Sequence, residues 1–319
     1  MKVLLDADTG VDDALGILYL AHAQHQGRVD VVASGTVGGN IHVGLSTRNT
    51  LRLWELVDLD VPVAKGANKP LLAPLHAAEH VHGNDGLANT YLSLPHTQPT
   101  GEHAVDQIIR LSHEFEGELT VLAFGPLTNL GIAFVRDPQL AERLERVVLM
   151  GGAISGGNVT PTADANIAND PEAARMVFTS GVPITMIGLG VTHQTYLLEE
   201  DLGPLVELDN ERSHFTLQIM RFMMDAYHKL GHEPPICVLH DPLSAGVCVD
   251  PGLVRTLPLH VEIETRGQFT RGMTIADRRA KPAHEPTVDV AVEVDAQRFE
   301  AGFMKALLWW AQEGGGQLG

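Results

Sequence analysis

The chain alternates short β-branched or leucine-rich runs with longer segments whose apolar residues recur at helical spacing. That alternation is the mark of βα units on a mostly parallel sheet. KVLLDA, residues 2–7, reads as the first strand, and DDALGILYLAHAQ, residues 12–24, as the first helix, whose acidic start complements the helix dipole. VDVVASGTVGGN then precedes a helix around 42–57, ELTVLAFGPLTN precedes one around 126–135, and RVVLMGG leads into a long loop. PITMIGL is a further strand, residues 199–230 read as helical up to the turn GHEPP, and DVAVEVD with residues 296–312 supplies a last strand and helix. Residues 66–100 and 151–169 are rich in Gly, Pro, Asn and His and longer than most connections, which makes them candidate binding loops rather than domain linkers. The GGGQLG end, within residues 313–319, is expected to be a flexible tail.

Polar residues fall just past the carboxyl ends of these strands: Asp8 after the first, Asn40 after the second, AFGP after ELTVL, and Gly151 onward after RVVLM. In an open α/β sheet that edge is where ligands bind. The stretch VLLDADTGVDD crowds Asp6, Asp8, Asp12 and Asp13 there, and CVLHDP adds His240 and Asp241 from far along the chain. Partly buried carboxylates this close either take up protons or gather round a cation. An oxygen-only set favours calcium or magnesium over zinc or copper, which would call for His and Cys.

Other readings are weaker. DTG at 8–10 matches the aspartic-protease tripeptide, but that fold is all-β and a helical pattern follows here at once. DADTG resembles the start of an EF-hand loop, yet Tyr19 occupies the position that needs an acidic residue. Helix capping or solvation suits Asp12 or Asp6 singly and explains the four together less well. GLG at 188–190 lacks the third glycine of a dinucleotide fingerprint.

Composition narrows the partners. The formal charge of −18 argues against a nucleic-acid backbone or an anionic membrane, since binding polyphosphate needs clustered Lys and Arg. Two cysteines, Cys237 and Cys248, are too few for a secreted disulfide scaffold and lack CxxC spacing. No signal-peptide core and no membrane-spanning run are evident, so a cytoplasmic protein is expected. With 319 residues and 44% hydrophobic content, the chain could form one large domain or two ordinary ones.

Four ordered blocks, DADTGVDDALG, GPLTNL at 125–130, VVLMGGA at 147–153 and HDPLSA at 240–245, resemble the nucleoside hydrolase family of the inosine-uridine preferring type. TRGMTIADRR at 270–279 looks like that family's C-terminal signature. The resemblance implies a single α/β domain over residues 1–312, with its active site at the carboxyl ends of a mostly parallel open sheet flanked by helices. It implies hydrolysis of the N-glycosidic bond of ribonucleosides, purine or pyrimidine, to ribose and free base with a bound Ca²⁺. By residue match, Asp8, Asp13, Asp241 and the main-chain carbonyl of Phe124 would hold the ion. Asp12, Asn40, Met150, Asn158, Asp164 and Asn166 would grip the sugar, and His240 falls where a proton donor to the departing base can sit. Asp8, with Asp12 second, would be the base that takes a proton from water. His82 and Tyr227 are candidates for the base pocket, with Met223 beside them, although loop solvation and helix packing would explain them too. The expected partner is a small ribonucleoside, and the expected assembly a homodimer or homotetramer. A hydrolase of another N-ribosyl compound, or a ribose-binding protein without turnover, stays open. One block departs from the family: TADAN stands where other members carry SVAEFN, so Asp164 is one methylene shorter than the expected Glu, and Ala165 replaces an aromatic residue.

Overall fold

The run Val3-Leu4-Leu5 has no polar face, and in the computed structural model, which describes residues 1–314, β1 (Lys2–Ala7) lies buried at the centre of the sheet. From it α1 (Val11–His25) leads to β2 (Asp30–Thr36), and α2 (Val43–Leu56) leads to the short β3 (Val63–Lys65). A long segment then carries α3 (Glu79–His82) and α4 (Ala104–Glu114) before β4 (Leu119–Ala123) pairs with the opposite side of β1. Next come α5 (Thr128–Arg136), α6 (Leu140–Arg143), β5 (Leu144–Met150), α7 (Ala165–Asn169), α8 (Pro171–Phe178) and β6 (Ile184–Ile187). Beyond them α9 (Leu189–Thr192) precedes the two-residue pair β7 (Tyr196–Leu197) and β8 (Cys237–Val238), which brackets α10 (Gly203–Leu208) and α11 (Glu211–Lys229). The chain closes with α12 (His240–Val249), β9 (Val254–Leu259), the hairpin of β10 (Val261–Ile263) and β11 (Thr274–Ala276), β12 (Val288–Val294) and α13 (Ala296–Glu313).

Among the described residues the main sheet has eight strands in the order β3-β2-β1-β4-β5-β6-β12-β9, parallel throughout except for β9 against β12. Strand order runs one way from β1 to β3 and the other way from β4 to β6. The crevice between β1 and β4 is therefore the topological switch point, where loops leave in opposite directions and make room for a ligand. One face is covered by a core that includes Leu15, Trp54, Phe303 and Trp310, the other by a core that includes Ile108, Phe134 and Phe178. The single α/β domain expected from the sequence is present.

Three features differ from the sequence reading. The stretch 199–230 is not one helix: a 3-10 turn (Glu199–Leu202) and α10 end at Asp209, whose φ is 44°, and the Asn210 side chain then caps α11 by accepting the Ser213 N–H at 2.9 Å. An Asp-Asn pair that tolerates a left-handed turn and caps a new helix interrupts a pattern that apolar periodicity alone runs through. The two long loops each contain a short helix, α3 and α7. Of the expected tail, Glu313 closes α13 and Gly314 follows, while residues 315–319 lie outside the described residues.

Two of the sequence blocks turn out to be braces. In GPLTNL, the buried Asn129 donates to Asp6 Oδ1 at 2.8 Å and to the Thr36 carbonyl at 3.0 Å, and its own Oδ1 accepts the Ala67 N–H at 2.9 Å. It ties β1, the end of β2 and the loop after β3 to α5. Burial pushes the Asp6 carboxyl up to about 7, against the Asn129 hydrogen bond that favours its charged form. In the C-terminal block, Arg271 forms a two-pronged ion pair with Glu172 of α8 at 2.6 and 2.7 Å, and Thr274 Oγ1 accepts the Ala153 N–H at 2.7 Å. Replacing Asn129 by Leu strands Asp6, the Thr36 carbonyl and the Ala67 N–H without partners inside the core. Urea unfolding of Asn129→Leu should show a loss of about 2–4 kcal/mol; a shift under about 0.5 kcal/mol, the usual scale of surface changes, would deny the residue its bracing role.

Candidate active site

Asp8 leaves the end of β1, Asp12 and Asp13 lie in the first turn of α1, and His240 and Asp241 open α12. Two helix N-termini thus meet the carboxyl edge of the sheet, and their partial positive charge offsets some of the cost of collecting acids there. Ligand oxygens of Asp12, Asp13 and Asp241 lie within 4.8 Å of one another. Asp8 stands beside them, with its Oδ2 accepting the Asn40 N–H at 2.6 Å. Asp13 Oδ2 accepts the Gly10 N–H at 2.9 Å and the Asn40 side-chain amide at 3.1 Å. A Cβ at residue 39 would sit 2.0 Å from Asp8 Oδ2, and one at residue 125 would sit 2.8 Å from Oδ1, so only glycine lets both loops close on this carboxylate.

The other oxygens have nothing to bind. Oδ1 of Asp8, Asp12, Asp13 and Asp241 is buried in each case and has no hydrogen-bond partner among the described residues. Burial, and after it the charge of Asp13, drives the Asp8 carboxyl well above its ordinary range; burial and then Asp12 do the same to Asp241. Asp12 and Asp13 are pushed up to about 6, again chiefly by burial. Four unpartnered carboxylate oxygens with no nitrogen or sulfur donor among them fit a hard divalent cation. The Phe124 carbonyl, just past β4, accepts the Asn166 side-chain amide, and a carbonyl's second lone pair can serve a cation as well.

The cluster opens into a cavity of 590 Å³. Asp12, Asn40, His82, Phe124, Met150, Asn158, Asp164, Asn166, Met223, Tyr227, His240 and Asp241 all line it, and Asp8 and Asp13 join the cluster from outside that lining. Asp164 braces its own loop, for its Oδ1 accepts the Gly152 N–H at 2.8 Å, and its Oδ2 accepts the Asn166 N–H at 3.0 Å as the N-cap of α7. An aspartate reaches these main-chain donors from a cap position where the longer glutamate reaches past them. Asn166 is thereby aimed at the Phe124 and Met150 carbonyls.

Histidine and tyrosine dominate the end of the cavity away from Asp164. His82 Nδ1 accepts the Val11 main-chain N–H at 3.1 Å. A main-chain N–H can only donate, so the neutral ring carries its proton on Nε2. Burial holds His82 down at about 4, which leaves its 3.7 Å approach to Asp12 a contact with a neutral ring rather than an ion pair. His240 is held at about 3 by burial and then by His193, His82 and His232. Its two ring nitrogens meet Tyr227 Oη at 2.6 Å and Thr192 Oγ1 at 2.7 Å. Sequence reasoning passed over Thr192, His193, His232, His80, Val81 and Leu230. The His193 ring lies 5.4 Å from that of His240, the His232 ring 5.1 Å from that of Tyr227, and both line the cavity with His80, Val81 and Leu230. The VTH triplet, one residue beyond the strand PITMIGL, was the available signal, since it falls on the same sheet edge as Asp8 and Asn40.

The chain is similar to known proteins over nearly its whole length. The family model described as inosine-uridine preferring nucleoside hydrolase matches residues 3–301. A pyrimidine-specific ribonucleoside hydrolase, RihA, of Enterobacter sp. (strain 638) is 36% identical over 304 residues, covering 94% of this chain and 95% of the relative. A probable uridine nucleosidase 2 of Arabidopsis thaliana is 36% identical over 306 residues, covering 92% and 94%. The solved structure of a purine-preferring ribonucleoside hydrolase from Gardnerella vaginalis superposes with a TM-score of 0.92 at 33% identity, covering 98% and 99%.

The acid cluster makes stability depend on pH in a definite direction. Folded carboxyls raised to about 6 or beyond keep protons that the unfolded chain, at about 3.8, gives up. Their stabilising contribution is present in full below about pH 4 and is lost as pH rises through 6. For chelator-treated protein, the melting temperature should fall between pH 5 and 7.5. Added Ca²⁺ should raise it, and by more at pH 7.5 than at pH 5, where protons compete for the same oxygens. A flat profile, or an equal gain at both pH values, would contradict this account of the cluster.

Proposed function

The chain belongs to the inosine-uridine preferring nucleoside hydrolase family, which makes it an N-glycosyl hydrolase, and we propose that it splits ribonucleosides into ribose and free base with Ca²⁺ held by the acid cluster. The observation that carries this reading is the cluster, at the switch point, of four buried carboxylates with unpartnered oxygens, two of which, Asp12 and Asp241, line one cavity with a neutral His-Tyr group. Asp8, Asp13, Asp241 and the Phe124 carbonyl are the proposed ligands, and Asp12 lies within ligand distance of Asp13 and Asp241. Calcium bound there would supply Lewis acidity towards a water molecule and would order two ribose hydroxyls.

The rest follows from the residues themselves. Breaking the C1′–N bond builds positive charge on the sugar ring, and the surrounding carboxylates favour that charge. Asp8 is the proposed general base: Asn40 pins one of its oxygens, and the other lies in the cluster. Asn40 from the loop after β2, and Asn158 and Asn166 from the long loop after β5, offer side-chain amides to the sugar, with Met150 lining the same cavity. Asp164 acts on the sugar indirectly in this reading, through its hold on Asn166. At the other end the departing base keeps the bond's electron pair and meets the Tyr227 hydroxyl and the His82 Nε2–H. His240, buried and neutral with both nitrogens engaged, backs Tyr227 rather than facing the base alone. No helix among the described residues is long and apolar enough to cross a membrane, and a cytoplasmic homodimer or homotetramer completes the proposal.

Incubation of pure protein with uridine, cytidine, inosine and adenosine, followed by measurement of free ribose with and without chelator, tests the reading. Calcium-dependent ribose from at least one nucleoside is the expected result; ribose from none of them would sink it. Asp8→Asn should lower turnover by about 10²–10⁴-fold, the usual worth of a positioned acid–base group. The same change removes a buried like charge, so the calcium-free variant should melt no lower than the parent protein. Near-parental turnover in Asp8→Asn would remove that residue from its proposed role.

A further inference from the structure

Thr192 is fully buried in the single turn α9, directly after β6. Other buried threonines on helices here, Thr47, Thr50 and Thr216, send the hydroxyl proton back to the carbonyl four residues earlier. Thr192 does not. Among the described residues its Oγ1 has one hydrogen-bond partner, His240 Nδ1, at 2.7 Å. On the far side of that ring, Nε2 lies 2.6 Å from Tyr227 Oη.

A neutral imidazole has one donor and one acceptor, so two arrangements are possible. If Nδ1 carried the proton it would donate to Thr192 Oγ1, and the buried threonine proton would have no acceptor, at a cost of about 1–3 kcal/mol. Tyr227 would then spend its only proton on Nε2. In the reverse arrangement Thr192 O–H donates to Nδ1, His240 Nε2–H donates to Tyr227 Oη, and the Tyr227 O–H is left over. Thr192 and His240 are then satisfied, and the one unpaired donor belongs to Tyr227, which lines the cavity where solvent or a ligand can accept from it, whereas Thr192 does not line it.

We infer that Thr192 is a positioning residue for departure of the base: by donating to His240 Nδ1 it fixes the Nε2–H form and frees the Tyr227 hydroxyl for the leaving group. This rests on the hydrolase reading above. As C1′–N breaks, its electron pair stays on the base, the Tyr227 proton passes to the base, and the tyrosinate, held by His240 Nε2–H, regains a proton from solvent while Asp8 gives up to solvent the proton it took from the attacking water.

Thr192→Val keeps the shape and removes the donor, and Thr192→Ser keeps the donor. With uridine or inosine, whichever the parent protein cleaves, Thr192→Val should lose about 100-fold in kcat, at the low end for a general acid–base contribution, with KM nearly unchanged. Thr192→Ser should recover most of that loss. With 4-nitrophenyl riboside, whose phenolate departs without a proton, Thr192→Val should lose far less than with the nucleoside. Nitrogen-15 NMR of the parent protein should show His240 as the Nε2–H tautomer, and Thr192→Val should lose that single form. Equal losses on both substrates, full activity of Thr192→Val on the nucleoside, or an Nδ1–H tautomer in the parent protein would overturn the inference. Should the parent protein release no ribose from any nucleoside, the hydrolase reading fails, and the NMR result alone then decides the role of Thr192.

Discussion

Repulsion among buried aspartates is the constraint around which the molecule is arranged. Two ionised carboxylates at the 4.8 Å separation that bounds Asp12, Asp13 and Asp241 would repel by about 3.5 kcal/mol at an effective dielectric constant near 20. Three such pairs approach the whole net stability of an ordinary domain, about 5–15 kcal/mol. The fully charged cluster is therefore untenable by itself, and either protons or a cation must relieve it. What the fold contributes is the refusal to let the acids separate: the end of β1, the N-termini of α1 and α12, and the two glycines that close on Asp8 hold them from different directions.

That refusal is distributed through residues with no chemistry of their own. Asn129 ties α5 to the two central strands and to the loop after β3, while Thr128 Oγ1 donates to Asp170 at 2.7 Å and so joins α5 to the start of α8. Arg271 grips α8 from the β10–β11 hairpin, and Thr274 holds Ala153 in the loop that carries Asn158 and Asp164. Asp85 accepts the main-chain N–H groups of Leu87, Asn89 and Tyr91, each at 2.8 Å, and so folds the loop next to His82 upon itself. Most of these residues lie in a loop or in the first turn of a helix, Thr274 opening β11 instead, and Asn129, Asp85 and Thr274 reach main-chain donors that regular structure leaves free.

The parts legible in the sequence were those governed by local pattern. The strands β1, β2, β4 and β5 and the helices α1, α2 and α13 follow from runs and periodicity, and the polar residues after those strands necessarily share one edge. Asp241 joined the amino-terminal acids from its place after the short apolar run of CVLHDP, and its part as a ligand came only through the family resemblance, because nothing near residue 241 says which strand end it will face. The histidine-rich lining of the cavity was harder to read. Thr192 ends a one-turn helix, His193 caps it and His232 lies in a loop after α11, and none of them has a periodic neighbourhood to mark it. The antiparallel β9 was missed for a related reason: at an edge, alternating exposure reads as loop when Pro258 interrupts it.

Burial acts alike on both ends of the cavity and yet leaves them in different electrical states. It raises the aspartates and lowers the histidines, so without any other charge both ends drift towards neutrality. A cation can reverse this only where it is coordinated, at the acid end, because charge restored to the aspartates is then neutralised by the ion itself. His240 has no such compensation, for its ring neighbours are the His193 imidazole and the Tyr227 ring, and at His82 burial outweighs the charge of Asp13. Help to a departing base must then come from neutral hydrogen bonds whose direction is set in advance. That is why the tautomers matter: His82 takes its own from a main-chain N–H, and His240, on the inference drawn above, takes its own from the hydroxyl of Thr192.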